Sequence, residues 1–294
     1  MPTNSTLPPM ADLFGEPSNA FDFGRGCARA TRLMCEVRSW AAAQNLHSNV
    51  IEATVLSLAL CSPPPFVPAL GPAAHTAVWV TALDDVFDGD DAEFDHASCD
   101  SATFVPAAFG AAESRIDDSL LLALRDIVGD LARQPRWPTF AEVWWQHIHA
   151  TVDAFVWERQ LRYTDDPVSL EDYLAHSASF ALGPVIVAWW AIIGEADIAD
   201  RLTTLLNALE HAQLALRLAN DLATADRERA EGCRANAVLL GARPREIDDL
   251  IDRHTAACHR LLRPLSPHPA AVSLGRLLDF DLGWYRTSDT RSPR

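Results

Sequence analysis

The chain has 294 residues, 49% of them hydrophobic, which is enough for one substantial core. Its formal net charge is −16 and all 24 of its basic residues are arginine, which excludes a basic footprint for nucleic acid and every chemistry that needs a lysine amine, such as a Walker-type phosphate loop or a Schiff base. The six cysteines (Cys27, Cys35, Cys61, Cys99, Cys233, Cys258) are scattered without a C-x-x-C pair and read as reduced thiols, and no apolar run is long enough to span a bilayer, so a cytoplasmic protein is expected.

Residues 1–26 mix Pro, Asn, Ser and Gly without a basic and then apolar order, and read as a flexible segment ahead of one domain over 27–294. Helical spacing of apolar residues runs from near Cys27 to Leu46 and returns around 51–61 and 72–88. Residues 89–112, rich in Gly, Asp, Ala and Pro, read as a loop, and a periodic helix follows from about Ser114 to Arg133. Pro135-Arg136-Trp137-Pro138 opens the next helix, which reaches about Tyr163. Ser169 suits an N-cap for a run from Leu170 to Ile193, with a kink expected at Gly183-Pro184. The longest pattern spans about Ala196 to Arg229, and two further helices, around 244–263 and 269–286, precede an Arg-rich tail. With no strand alternation and no internal repeat, the fold class is all-α, a single domain of roughly ten helices.

Two polar clusters interrupt these apolar patterns. In Asp84-Asp85-Val86-Phe87-Asp88, the side chains of Asp84 and Asp88 fall only about 40° apart on a helix, and Asp85 points elsewhere. Two uncompensated acids so placed repel each other unless a cation sits between them, and hard oxygen ligands of this kind suit Mg2+. In the second cluster, from Asn220 to Glu228, the residues Asn220, Thr224 and Glu228 are spaced i, i+4, i+8 and fan over about 80° of one face. Arg217 and Arg227 fall on or beside that face, where a guanidinium can take a phosphate oxygen, and Asp221 lies next to the first ligand as Asp85 does in the other cluster. Either cluster alone would also fit a solvated helix face; ligands from two opposing helices are a pattern of metal sites in bundles.

At these residues the chain resembles the class I terpene synthases, in particular the small single-domain bacterial cyclases. Asp84-Asp85-Val86-Phe87-Asp88 is similar to that family's aspartate-rich motif, and Asn220-Asp221-Leu222-Ala223-Thr224-Ala225-Asp226-Arg227-Glu228 to its second metal motif. The resemblance implies a helical bundle around a central cavity, with Asp84 and Asp88 holding two Mg2+ ions and Asn220, Thr224 and Glu228 a third, so that three metals bind the substrate diphosphate and Arg227 contacts it. The tail from Trp284 to Arg291 looks like that of bacterial ent-kaurene-type synthases, which take copalyl diphosphate, and implies that Arg286 and Arg291 close over the diphosphate. Two departures are visible: Arg291 is followed by Ser292 where the family often has Tyr, and no Arg stands between Arg162 and Arg201, where many bacterial cyclases carry a diphosphate-sensing one. Asp88-Gly89-Asp90-Asp91 spells the D-x-D-D pattern of class II cyclases but lacks their larger helical context, so Asp90 and Asp91 are assigned to the loop.

The expected activity is Mg-dependent ionisation of an isoprenoid diphosphate, copalyl or geranylgeranyl, and carbocation cyclisation to a polycyclic diterpene with release of pyrophosphate. An upstream class II cyclase would supply copalyl diphosphate, and a homodimer stays open. Trp79, Phe87, Phe155, Phe180, Trp189 and Trp190 are the aromatic candidates for the cavity wall, although large rings fill ordinary cores too. His147 and His149, two residues apart, diverge by about 200° on a helix and are read as structural. The rival readings are a sesquiterpene synthase on farnesyl diphosphate and a non-catalytic binder of isoprenoid diphosphates.

Overall fold

A computed structural model describes residues 20–46, 51–89, 118–164, 167–177 and 181–287. Ten α-helices follow in order among these residues: α1 (Ala20–Ala43), α2 (Ile51–Cys61), α3 (Gly71–Asp88), α4 (Asp118–Ala132), α5 (Trp137–Arg162), α6 (Leu170–Ser177), α7 (Leu182–Ile193), α8 (Ile198–Ala230), α9 (Pro244–Leu262) and α10 (Pro269–Tyr285). Short 3-10 turns at Pro64–Ala69 and Arg263–Leu265 complete the described elements, none of which is a strand. The first helix starts at Ala20, ahead of the position read from the sequence, and the expected loop at 89–112 lies outside the described residues apart from Gly89. No described helix is long and apolar enough to cross a membrane.

Helices α3 and α7 are buried almost all round and pack on each other, so they form the middle of the bundle. Helix α5 packs against α7, α8 runs along α9, and α10 bridges α8 and α2. At 33 residues α8 is about 50 Å long, which lets one continuous element carry both core side chains and a polar end.

The run from Leu170 to Ile193 is two helices and not one kinked helix. Ala181 adopts φ 56° immediately before α7, which breaks the helical path, and Pro184 is the third residue of α7. In a first helical turn the backbone N–H has no intrahelical acceptor, so proline there starts a helix without bending it. Gly183 is fixed by a close approach: a Cβ on it would lie 2.3 Å from Nδ1 of His147 on α5. The same contact is tightened by Trp144, whose indole N–H donates to the Pro184 carbonyl at 2.9 Å. Burial pushes His147 down to about 4, so it packs as a neutral ring, a structural part as the spacing argument holds.

Candidate functional site

The two clusters meet at one hollow. Asp84 and Asp88 from α3, and Asn220, Arg227 and Glu228 from α8, line a cavity of about 270 Å3 whose other walls come from α2, α5, α7 and α10. Apolar side chains such as Leu58, Val80, Val185 and Leu277 face the same space, and Ala53, Ala77, Ala154 and Ala181 contribute only a methyl group each. Oxygen-bearing and hydrocarbon surfaces therefore share a single chamber.

The α3 wall is completed by two arginines of α5. Arg159, almost fully buried, donates to the carbonyls of Phe87 and Gly89, the latter at 2.6 Å, and so takes up backbone acceptors that the helix C-terminus leaves open. Arg162 donates to the Asp88 carbonyl at 3.0 Å and to its carboxylate Oδ1 at 2.5 Å. Cations are favourable at a helix C-terminus, so the pair both holds α3 in place and balances one of its acids. Asp84 is half-buried on the cavity wall, whereas Asp85 is exposed and turned away, as the helical spacing requires.

The α8 wall is knitted from behind. Asp221 is fully buried; it accepts from the Tyr173 hydroxyl at 2.9 and 2.8 Å, from the Ala237 N–H at 3.0 Å, and pairs with Arg217 Nε at 3.2 Å. Burial pushes its carboxyl up to about 7, while Arg217 and these donors favour the charged form. Arg217 also donates to the Tyr173 hydroxyl at 2.5 Å and the Ala235 carbonyl at 2.9 Å, and pairs with Glu158 of α5 at 3.1 Å. Asn236 Nδ2 donates to the Asp221 carbonyl at 2.9 Å and to Glu228 Oε2 at 3.0 Å, so the segment after α8 fixes the orientation of the Glu228 carboxylate.

Several expected positions change. Arg217 lines the cavity, but its guanidinium is committed to Glu158, Asp221, Tyr173 and Ala235, because a charge this buried needs a full set of partners. Thr224 is fully buried, is not among the cavity-lining residues, and donates its hydroxyl to the Asn220 carbonyl at 2.8 Å. Arg227 does line the cavity, paired with Glu231 at 2.9 Å and 3.7 Å from Glu228. Arg286 is exposed at the end of α10 and off the cavity wall, and Arg291 lies outside the described residues.

Of the aromatic candidates, Phe87 and Phe155 face the cavity with ring centroids 5.9 Å apart. Trp79, Trp189 and Trp190 are core side chains instead: all three are fully buried, and the indoles of Trp79 and Trp190 donate to the carbonyls of Leu120 at 2.9 Å and Ala270 at 3.3 Å. Their helices are apolar all round, and periodicity could not separate the side facing the hollow from the side facing protein. Phe180 lies outside the described residues. The sequence reading took Trp284 and Tyr285 as part of the tail and not as the cavity wall they form on α10, and it missed Glu158, Arg159, Arg162 and Asn236. The one available signal was the density of charged residues at the end of α5.

A separate trio, Glu195, Asp197 and His268, brings three ligand-type atoms within 4.8 Å of one another. His268 Nδ1 accepts the Ala270 N–H at 3.2 Å, which leaves the proton on Nε2, 3.6 Å from Asp197 Oδ1. That nitrogen is a donor facing a carboxylate and offers no lone pair to a metal. The donors on the cavity wall differ: carboxylates of Asp84, Asp88 and Glu228 and the amide of Asn220 are hard oxygen ligands suited to Mg2+.

Comparison with known proteins follows the same line. Residues 75–250 match the family model described as terpene synthase family 2, C-terminal metal binding. The chain is 31% identical to the ent-pimara-9(11),15-diene synthase of Streptomyces sp. (strain KO-3988) over 278 residues, 89% of this chain and 92% of that protein. Its fold is similar to that of linalool/nerolidol synthase from Streptomyces clavuligerus in complex with 2-fluorogeranyl diphosphate, with a TM-score of 0.63 at 17% identity over 88% of this chain and 95% of the other. It is also similar to isoprene synthase from grey poplar leaves (Populus x canescens) in complex with three Mg2+ ions and dimethylallyl-S-thiolodiphosphate, with a TM-score of 0.66 at 20% identity over 89% of this chain and 56% of the other.

Proposed function

The chain belongs to the terpene synthase family, lyases that act on prenyl diphosphates with a divalent metal, and from that premise we propose that it is a class I diterpene synthase acting on copalyl or geranylgeranyl diphosphate. The observation that carries the reading is that Asp84, Asp88, Asn220 and Glu228, from two helices, line one cavity that apolar side chains such as Leu58, Val80, Phe155 and Leu277 share. The C20 substrate class rests on the 31% identity to a protein named as an ent-pimaradiene synthase. An upstream class II cyclase is the source of substrate if that substrate is copalyl diphosphate.

Asp84 and Asp88 on one side and Asn220 and Glu228 on the other would hold Mg2+, three ions on the family's pattern, which would supply charge to offset a departing diphosphate. Thr224 joins that set only if its hydroxyl turns away from the Asn220 carbonyl. Arg227 presents a guanidinium at the same wall and is assigned to the diphosphate, while Arg217 braces Asp221 and Glu158 from within. Arg286 and Arg291 are assigned to closure over the bound diphosphate. Phe87, Phe155, Trp284 and Tyr285 turn ring surfaces or edges toward a space from which water must be kept, and a ring face stabilises a nearby cation by roughly 0.5–2 kcal/mol.

The test is incubation of the protein with Mg2+ and, separately, farnesyl, geranylgeranyl and copalyl diphosphates, with pyrophosphate release measured beside mass analysis of extracted hydrocarbons. A C20 hydrocarbon from one of the two longer substrates is the expected result. A C15 product from farnesyl diphosphate alone would replace the diterpene assignment, and Mg-dependent binding without pyrophosphate release would reduce the protein to a binder.

A further inference from the structure

One acid on the cavity wall has no part in the metal and diphosphate arrangement. Asp281 lies on α10, where Leu277, Asp281 and Tyr285 are spaced i, i+4, i+8 and, with Trp284, form the stripe that faces the hollow. The neighbouring charges on α10 point elsewhere. Asp279 pairs with His259 of α9 at 2.8 Å, and Arg276, about 140° round the helix from Asp281, donates to the Leu60 carbonyl at 3.2 Å. Near Asp281, Ser57 of α2 also lines the cavity.

A carboxyl withdrawn from bulk water is costly to keep ionised. Burial pushes Asp281 up to about 7, so it is held as a base of intermediate strength and not as a permanent charge. The form that acts is the carboxylate already ionised before the chamber closes, and a carbocation in the same low-dielectric space is attracted to it. The apolar residues on the same wall cannot remove a proton.

We propose that Asp281 is the catalytic base that ends the reaction, taking a proton from the carbon next to the final cationic centre. The C–H bond breaks, its electron pair becomes the π bond of the product alkene, and the proton rests on an Asp281 carboxylate oxygen until the emptied cavity admits water. No oxidant or second substrate is needed. This assignment rests on the cyclase reading above.

The experiment compares wild-type protein with Asp281→Asn and Asp281→Glu, each with Mg2+ and the C20 diphosphate that the wild type consumes, and measures wild-type hydrocarbon formed per pyrophosphate released. In Asp281→Asn that ratio should fall at least about tenfold, with isomeric alkenes or water-captured alcohols making up the difference. Asp281→Glu keeps a carboxyl at a shifted position and should deprotonate a different carbon, giving double-bond isomers; it also serves as the test should the Asn variant fail to fold by circular dichroism. An unchanged ratio and product pattern in the folded variants would overturn the role of Asp281 and leave the cyclase assignment standing. A wild-type protein that releases no pyrophosphate from any isoprenoid diphosphate would overturn both.

Discussion

The ends of α3 and α8 bring oxygen ligands to the same cavity by different means. On α3, Asp88 is 41% exposed and its charge is met by Arg162, a side chain borrowed from the next helix and itself 22% exposed. On α8, Glu228 is oriented by Asn236, and behind it Arg217 and Asp221 are 11% and 1% exposed within a network that includes Tyr173 and Glu158. A half-exposed ion pair contributes little to stability and can exchange partners when a cation arrives, whereas a buried network is rigid because removing any member strands the others. One wall is thus adjustable and the other fixed in advance.

The contrast can be broken first at its strongest point. Arg217→Met removes the cation that Glu158 and Asp221 share and should cost about 3–5 kcal/mol of stability in chemical denaturation, as for other broken buried pairs. Next, if Asp84 and Glu228 hold metal as proposed, Asp84→Ala and Glu228→Ala should each lower pyrophosphate release by at least about a hundredfold with the helical circular dichroism retained. A control touching neither wall is His147, whose folded-state value of about 4 lies below the ordinary 6.5. The folded protein therefore binds fewer protons than the unfolded chain between those values, and stability that is full above pH 6.5 should fall by up to roughly 1.4 kcal/mol per pH unit toward pH 4. In His147→Asn that slope should be smaller in denaturation curves taken across the window. The smallest effect belongs to Arg162→Gln, which should change stability by no more than about 1 kcal/mol and lower the Mg2+ concentration needed for half-maximal turnover by freeing Asp88. Loss of several kcal/mol there would show that the α3 wall is as rigid as the α8 wall.

What the sequence disclosed follows from how local each feature is. Helix type and order were readable because apolar periodicity is written within each segment, and the two polar clusters stood out because their members sit one turn apart on single helices, although Thr224 of the second is not on the cavity wall. The assignment at Gly183-Pro184 went wrong because proline's effect depends on whether it opens a helix or interrupts one, and only the left-handed Ala181 decides that. Arg159 and Arg162 escaped notice because they act on carbonyls and a carboxylate 70 to 74 positions away in the chain. The fully buried tryptophans were placed on the wrong side for a similar reason: a helix apolar on every face does not say which face borders empty space. Arg217 was read from helical geometry as a phosphate ligand, and its partners Glu158, Tyr173 and Ala235 lie on other parts of the chain.

Four of the five alanines on the wall, Ala53, Ala77, Ala154 and Ala181, come from different parts of the chain, and the fifth, Ala235, accepts from Arg217 through its carbonyl. At the helical ones, Ala53, Ala77 and Ala154, bulk can be added in increments of one or two carbons, altering the outline of the chamber without replacing any of its oxygen-bearing side chains, whereas Ala181 at φ 56° resists larger side chains. If the chain cyclises its substrate as proposed, ring pattern and ignition would be set by different side chains, and change at these methyl-sized positions would redirect the first while sparing the second.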